Sequence, residues 1–279
     1  MVLRADSAHE LRGAEAERCA TRLQSAAPAF TSPGRSECRA LREHEVHVEW
    51  LRVDAFRSGL GALCELLTPE ERERARRFGF ASDRETFTIT RATLRATLAR
   101  YLGNQPQEVR FLDGPHGKPA LAEPDADLRF NVSHSRGLAM LAITRGRRVG
   151  VDVEEIRPEF PYAEVAERVF TPRERAALEA LPAERRAEAF FHGWTCKEAY
   201  VKARGTGLTL APDAFSVSLP PAPPALLEVA DDPAEARRWT LSAISPAAGF
   251  AAVVAAEGWD WRVKCRQLIP DPPDPTRLQ

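Results

Sequence analysis

The side chains with the most evident chemistry lie in two short stretches. One is Gly150-Val151-Asp152-Val153-Glu154, inside an apolar run over residues 148–156 that predicts a β-strand. Asp152 and Glu154 are two residues apart, so both carboxylates leave the same side of that strand. The other is Trp194-Thr195-Cys196-Lys197-Glu198-Ala199-Tyr200-Val201-Lys202. Apolar residues recur there at helical spacing until Gly205-Thr206-Gly207 breaks the pattern. Trp194, Glu198 and Lys202 are four apart each time and share one helix face. As an isolated pair, Glu198 and Lys202 read as an ordinary surface salt bridge. Beside Asp152 and Glu154 a second reading opens. Two carboxylates from a strand and one from a helix supply the hard oxygen ligands that Mg²⁺ takes together with substrate phosphates.

Other stretches add polar groups. Only four of the 39 basic residues are lysines, and Lys118, Lys197 and Lys202 all fall in the stretches of interest, with Lys264 outside them. An arginine-biased composition explains that, and so does a need for a compact ammonium near phosphate. Phe130–Arg136 reads FNVSHSR and places His134 between Ser133 and Ser135 where a hairpin turns, a cluster able to meet a phosphate or a nucleotide edge. His116-Gly117-Lys118-Pro119 is a turn that presents a lysine. Arg72, Arg74, Arg76 and Arg77 form either a solvated face or an anion contact. Glu71 is accounted for as a helix-capping residue, and Cys196 as a packing residue, because no base partner is evident. No P-loop, dinucleotide fingerprint or Gly-x-Ser-x-Gly occurs.

The elements that must position these groups follow from the pattern. Residues 1–44 read as a poorly ordered extension. Val46–Val53 alternates as a strand. Thr68-Pro69-Glu70-Glu71 starts a helix with a capping box, and Asp83–Leu102 forms a longer helix stopped by Gly103. Short strands are expected at Val109–Leu112, Leu128–Ser133 and Leu138–Thr144. The plan then repeats: a strand at Val149–Glu154, a second Thr-Pro cap at Thr171-Pro172 with Glu174 at the third position, and a long helix over Glu184–Ala203. Strands at Ser216–Leu219, Trp239–Ile244 and Phe250–Ala256 complete it. The expected fold is α+β, a pseudo-dimer of two similar halves over 45–148 and 149–262, with the acidic site in the second and a loose tail over 263–279.

The totals exclude several classes. A net charge of −1 gives no electrostatic case for nucleic acid. No apolar run reaches the roughly 20 residues that span a bilayer, and no secretory signal is evident. Five scattered cysteines without a CxxC pair support neither a zinc site nor a disulfide framework, so a cytoplasmic setting is expected.

GVDVE (150–154) and WTCKEAYVKARGTGL (194–208), preceded by HGKP (116–119) and FNVSHS (130–135), resemble the Sfp-type 4′-phosphopantetheinyl transferases over about residues 46–257. The resemblance implies a pseudo-dimer with its site at the junction of the halves. It implies cleavage of coenzyme A at its pyrophosphate and passage of the 4′-phosphopantetheine arm to a serine hydroxyl of an apo acyl or peptidyl carrier protein, leaving 3′,5′-ADP. By motif position Asp152, Glu154 and Glu198 would hold Mg²⁺, and Glu198 would assist deprotonation of the serine. Lys202 would face the phosphates. Arg74, Lys118, Ser133 and His134, with Gly117 and Pro119 in the HGKP turn, would contact the 3′-phosphoadenosine end. Some members carry Lys where Glu71 stands, which implies one fewer phosphate contact here unless a neighbouring Arg substitutes. Either the Arg72–Arg77 helix or the apolar residues around Phe160–Phe170 would meet the carrier. Internal symmetry implies a monomer. A Mg²⁺-dependent hydrolase of coenzyme A or nucleotides, or a non-catalytic module binding coenzyme A or a carrier, are the competing readings.

Overall fold

A computed structural model of the chain describes residues 40–114, 118–122, 127–230 and 232–270. The first half runs through β1 (Glu45–Arg52), α1 (Leu60–Glu65), α2 (Pro69–Arg76), α3 (Ala81–Leu102), β2 (Phe111–Asp113), β3 (Pro119–Leu121), β4 (Leu128–Ser135) and β5 (Leu138–Arg145). The second runs through β6 (Val149–Glu155), α4 (Tyr162–Val169), α5 (Pro172–Glu179), α6 (Ala183–Arg204), β7 (Phe215–Val217), β8 (Leu226–Val229), β9 (Trp239–Ile244), β10 (Phe250–Glu257) and β11 (Arg262–Gln267).

Residues 138–143 of β5 are all buried, which a strand can satisfy only with both faces covered. Ala139, Leu141 and Ile143 pack under α3 with Ile89, Leu94 and Leu98. Leu138, Met140 and Ala142 meet Val151, Val153 and Val254 of the other half. The sheets, ordered β11-β1-β5-β4 and β6-β10-β9, therefore share an apolar layer, and α6 covers the outer face of the second through Ala199, Tyr200, Val253 and Ala255. The result is a helix–sheet–sheet–helix stack in which β4 and β6 are edge strands that meet at the seam.

The internal repeat extends to detail. Thr68 and Thr171 both cap a helix in a reciprocal box with a glutamate three residues on. Helices α3 and α6 are each 22 residues long, and Gly103 (φ 72°) and Gly205 (φ 73°) stop them in the left-handed conformation that glycine adopts without strain. Each capping glutamate also neutralises cations from the long helix that follows. Glu71 takes Arg91 at 2.5 Å and Arg95 at 2.6 Å, and Glu174 takes Lys197 at 2.9 Å.

Some expectations are corrected. Residues 263–268 are not tail: β11 returns to the first half and pairs in parallel with β1, and Leu268 is buried in the first core. At the other end, Leu41 is buried in the same core, so the ordered unit starts before residue 45. Strand β2 begins two residues later than expected, and β4 continues through Ser135 to a turn at Arg136-Gly137. Strands β3, β8 and β11 and helices α1 and α4 have no counterpart in the sequence pattern. Residues 1–39 and 271–279 lie outside the described residues.

Candidate active site

The site forms where α6 lies directly on β6. A Cβ on residue 150 would collide with the Ala199 carbonyl oxygen and stand 2.9 Å from the Ala203 Cα, so this approach requires Gly150. Two residues on, the Asp152 side chain, 2% exposed, points at the same helix. Its Oδ1 accepts from Lys202 Nζ at 2.5 Å and from Ser133 Oγ at 2.8 Å, and Lys202 Nζ also donates to Ser133 Oγ at 3.0 Å. Its Oδ2 is buried with no hydrogen-bond partner. Burial pushes the Asp152 carboxyl up to about 6; Lys202 and Ser133 oppose the rise and Glu154 adds to it.

Glu154 leaves the same side of β6 and accepts from Ser135 Oγ at 2.7 Å. Glu198 stands on α6 one turn before Lys202. Both line a cavity of about 360 Å³ with Pro119, Phe130, Val201 and Leu210. Burial, and then repulsion from Glu154, raise the Glu198 carboxyl above its ordinary value against the pull of Lys202. Glu154 therefore acts on both of the other acids. As the side chains stand, however, no group of three His, Cys, Asp or Glu among the described residues could hold a metal ion, and Asp152 is ion-paired with Lys202.

The pleat divides the FNVSHS stretch that the sequence presents as one cluster. Asn131, Ser133 and Ser135 turn toward β6, where Asn131 Oδ1 accepts from Val151 N at 2.8 Å. Val132 and His134 turn the other way, into a cavity of about 640 Å³ beneath α3 that Arg74, Phe87 and Pro119 also line. Burial, and then Lys202, hold the His134 imidazole below its ordinary pKa, so it is neutral at pH 7. The Arg74 guanidinium lies 5.4 Å from the Phe87 ring centroid.

Lys118 does not join Arg74 and His134. Its ammonium donates to Val149 O at 3.1 Å and Lys202 O at 2.6 Å, tying β6 to the end of α6. Burial and the nearby cations Arg129, Arg148 and Lys202 pull it down to about 8. Gly117 lies outside the described residues. Lys197 faces away from the acids, 1% exposed, and donates to Glu174 and to the carbonyls of Pro212 and Phe215. Cys196 is buried, its thiol pushed up to about 12, which suits the packing role expected of it. Glu71 is more than a cap, because Arg91 and Arg95 are engaged on it. Phe170 is buried against Phe190, while Phe160, stacked on the same ring, is only half-buried, as are Tyr162, Val165 and Val169. Asn131 and Ser135 were missed as site residues; strict alternation along β4 is the signal that could have found them.

Comparison with known proteins identifies the family. The pattern described as the 4′-phosphopantetheinyl transferase superfamily matches residues 148–255, and that described as 4′-phosphopantetheinyl transferase, N-terminal, matches residues 54–145. The chain is 39% identical to 4′-phosphopantetheinyl transferase HetI of Nostoc over 226 residues, which cover 80% of this chain and 92% of that one. It is 32% identical to 4′-phosphopantetheinyl transferase Sfp of Bacillus subtilis over 154 residues, 55% of this chain and 66% of that one. A solved structure, the Thermotoga maritima holo-[acyl-carrier-protein] synthase, overlaps 41% of this chain and 64% of its own at a TM-score of 0.33 and 27% identity, too partial to add to the argument. The chain belongs to the 4′-phosphopantetheinyl transferases. It is an α+β enzyme of two transferase halves, and its reaction is 4′-phosphopantetheinyl transfer from coenzyme A to carrier proteins.

Proposed function

We propose that the chain carries out this transfer at the seam between β4, β6 and α6, in a Mg²⁺-dependent reaction that places the arm on a carrier serine and releases 3′,5′-ADP. The observation that carries the reading is the convergence of Asp152, Glu154, Glu198 and Lys202 on that seam. Asp152, Glu154 and Glu198 would hold Mg²⁺. The unpartnered buried Asp152 Oδ2 and the all-oxygen donor set fit a hard divalent cation. When bound, the ion supplies positive charge to the pyrophosphate oxygens.

The remaining work falls to side chains. Phosphoryl transfer requires positioning and charge stabilisation more than covalent chemistry. Glu198, made more basic than a surface carboxylate by burial and by Glu154, is suited to take the serine proton. Lys202 can exchange its contact with Asp152 for the charge that builds on the departing phosphate. Arg74, Pro119 and His134 line the larger cavity and would receive the nucleotide end, with His134 as a neutral donor. Ser133 serves through Asp152, and Lys118 through the backbone it holds. Both halves contribute to the seam, so one chain suffices and a monomer is expected. Among the described residues no helix is long and apolar enough to cross a membrane. The cytoplasm, where coenzyme A is available, is the proposed setting.

The test is intact mass of apo acyl and peptidyl carriers incubated with the protein, Mg²⁺ and coenzyme A. A gain of one phosphopantetheine group, lost with EDTA, is expected. Glu198→Gln should abolish it while leaving the circular dichroism spectrum unchanged. Turnover of coenzyme A without a mass gain would instead indicate a hydrolase.

A further inference from the structure

We propose that Ser135 is a positioning residue that aims the Glu154 carboxylate into the site. This rests on the reading of Glu154 as a metal ligand. The geometry fixes where the hydroxyl proton points. Ser135 Oγ accepts from the Glu155 backbone N–H at 3.3 Å, and its own proton is therefore free to go to Glu154 Oε2 at 2.7 Å. Ser133 does the same one pleat earlier, accepting from Lys202 and donating to Asp152. Each seryl hydroxyl thus accepts from one N–H donor and gives its own proton to one acid, and the two pairs share the spacing of the two acids along β6.

The location makes the arrangement rigid. Among the described residues no backbone ladder joins the two sheets, so the side chains of Asn131, Ser133 and Ser135 set how edge strand β4 lies against β6. Ser135 is the last residue of β4, pinned by its pairing with Leu138 across a two-residue turn. Both turn residues have positive φ, 43° at Arg136 and 78° at Gly137, the geometry that matches hairpin twist. Glu154, half-buried on a flexible stem, accepts its one described hydrogen bond from Ser135. A hydroxyl donating to a ligating carboxylate orients it, and loss of such partners typically weakens metal binding about 10- to 100-fold.

The experiment compares wild type with Ser135→Ala, Ser135→Thr and Glu154→Gln. Mg²⁺ is titrated into each protein with coenzyme A present, by calorimetry, and the Mg²⁺ concentration for half-maximal transfer and the melting temperature are measured. Ser135→Ala should weaken Mg²⁺ binding about tenfold and raise the half-maximal concentration in step. Ser135→Thr, which keeps the hydroxyl, should recover most of that loss. Unchanged Mg²⁺ affinity in Ser135→Ala, even with a lowered melting temperature, overturns the proposal, as does a Thr variant as weak as the Ala variant. Failure of the underlying reading looks different: wild type takes up no Mg²⁺, or Glu154→Gln binds it as wild type does.

Discussion

Lys197 sits between Cys196 and Glu198 in the stretch richest in chemistry, yet its surroundings assign it to the core. Its side chain and that of Glu174 are almost completely buried, 2.9 Å apart. Lys197 Nζ also donates to Pro212 O at 2.7 Å and Phe215 O at 2.6 Å. Lys197→Met keeps most of the stem volume and removes the charge. Breaking one side of a buried ion pair costs about 3–5 kcal/mol, because the other charge is left without compensation. Glu174 would keep the Thr171 and Val217 backbone N–H groups, both at 2.7 Å, which favours the lower end of that range. Two carbonyls losing a charged donor add about 1 kcal/mol or more each. A total of about 5 kcal/mol or more corresponds to a fall of roughly 10–20 °C in melting temperature for a chain of this size. Scanning calorimetry measures that, and the transfer rate at a temperature where the variant is folded measures chemistry. The expected outcome is a large drop in stability with a near-normal rate. Glu174→Gln combined with Lys197→Met should be less destabilised than Lys197→Met alone, since no lone charge remains. A melting temperature within about 2 °C of wild type, or a folded variant without activity, would refute the assignment.

The other expectations are as direct. Arg74→Ala should weaken coenzyme A binding about tenfold, the worth of one charge-assisted contact, with little change in melting. Lys118→Met should do the opposite, because its ammonium is spent on two carbonyls; calorimetry and thermal melts on both variants decide, and reversed results contradict the division. The Asp152 carboxyl, raised to about 6, gains a proton as pH falls below that value and loses its grip on cations. The transfer rate should then fall about tenfold per pH unit on the acid side, and added Mg²⁺, competing with the proton, should move that limb to lower pH. A rate flat down to pH 5 would contradict this reading. Gly150→Ala should fail to yield folded protein, since its Cβ meets helix backbone that cannot step aside; normal circular dichroism and solubility would show looser packing than the structure has.

What local sequence determined is considerable. Both Thr-Pro capping boxes, the two long helices and their glycine stops were readable, because caps and 3.6-residue periodicity act over a few residues. So was the common side of Asp152 and Glu154, which strand geometry dictates. The family motifs pointed to the reaction. Other features depended on which faces pack together. Strand β11 has mostly exposed residues, so it carries no apolar alternation, and only its parallel pairing with β1 shows that the chain returns to the first half. Ser133 and His134 are neighbours in sequence but have different surroundings, because the pleat turns one toward Asp152 of β6 and the other into the cavity beneath α3. Lys118, Lys197 and Lys202 look alike in sequence, yet the first meets carbonyls, the second the buried Glu174 and the third Asp152. Charge type is local information. A charge's partner is not, because Lys202 reaches Asp152 and Lys118 reaches the end of α6 across 50 and 84 residues of chain, and only the packing of α6 on β6 closes those distances.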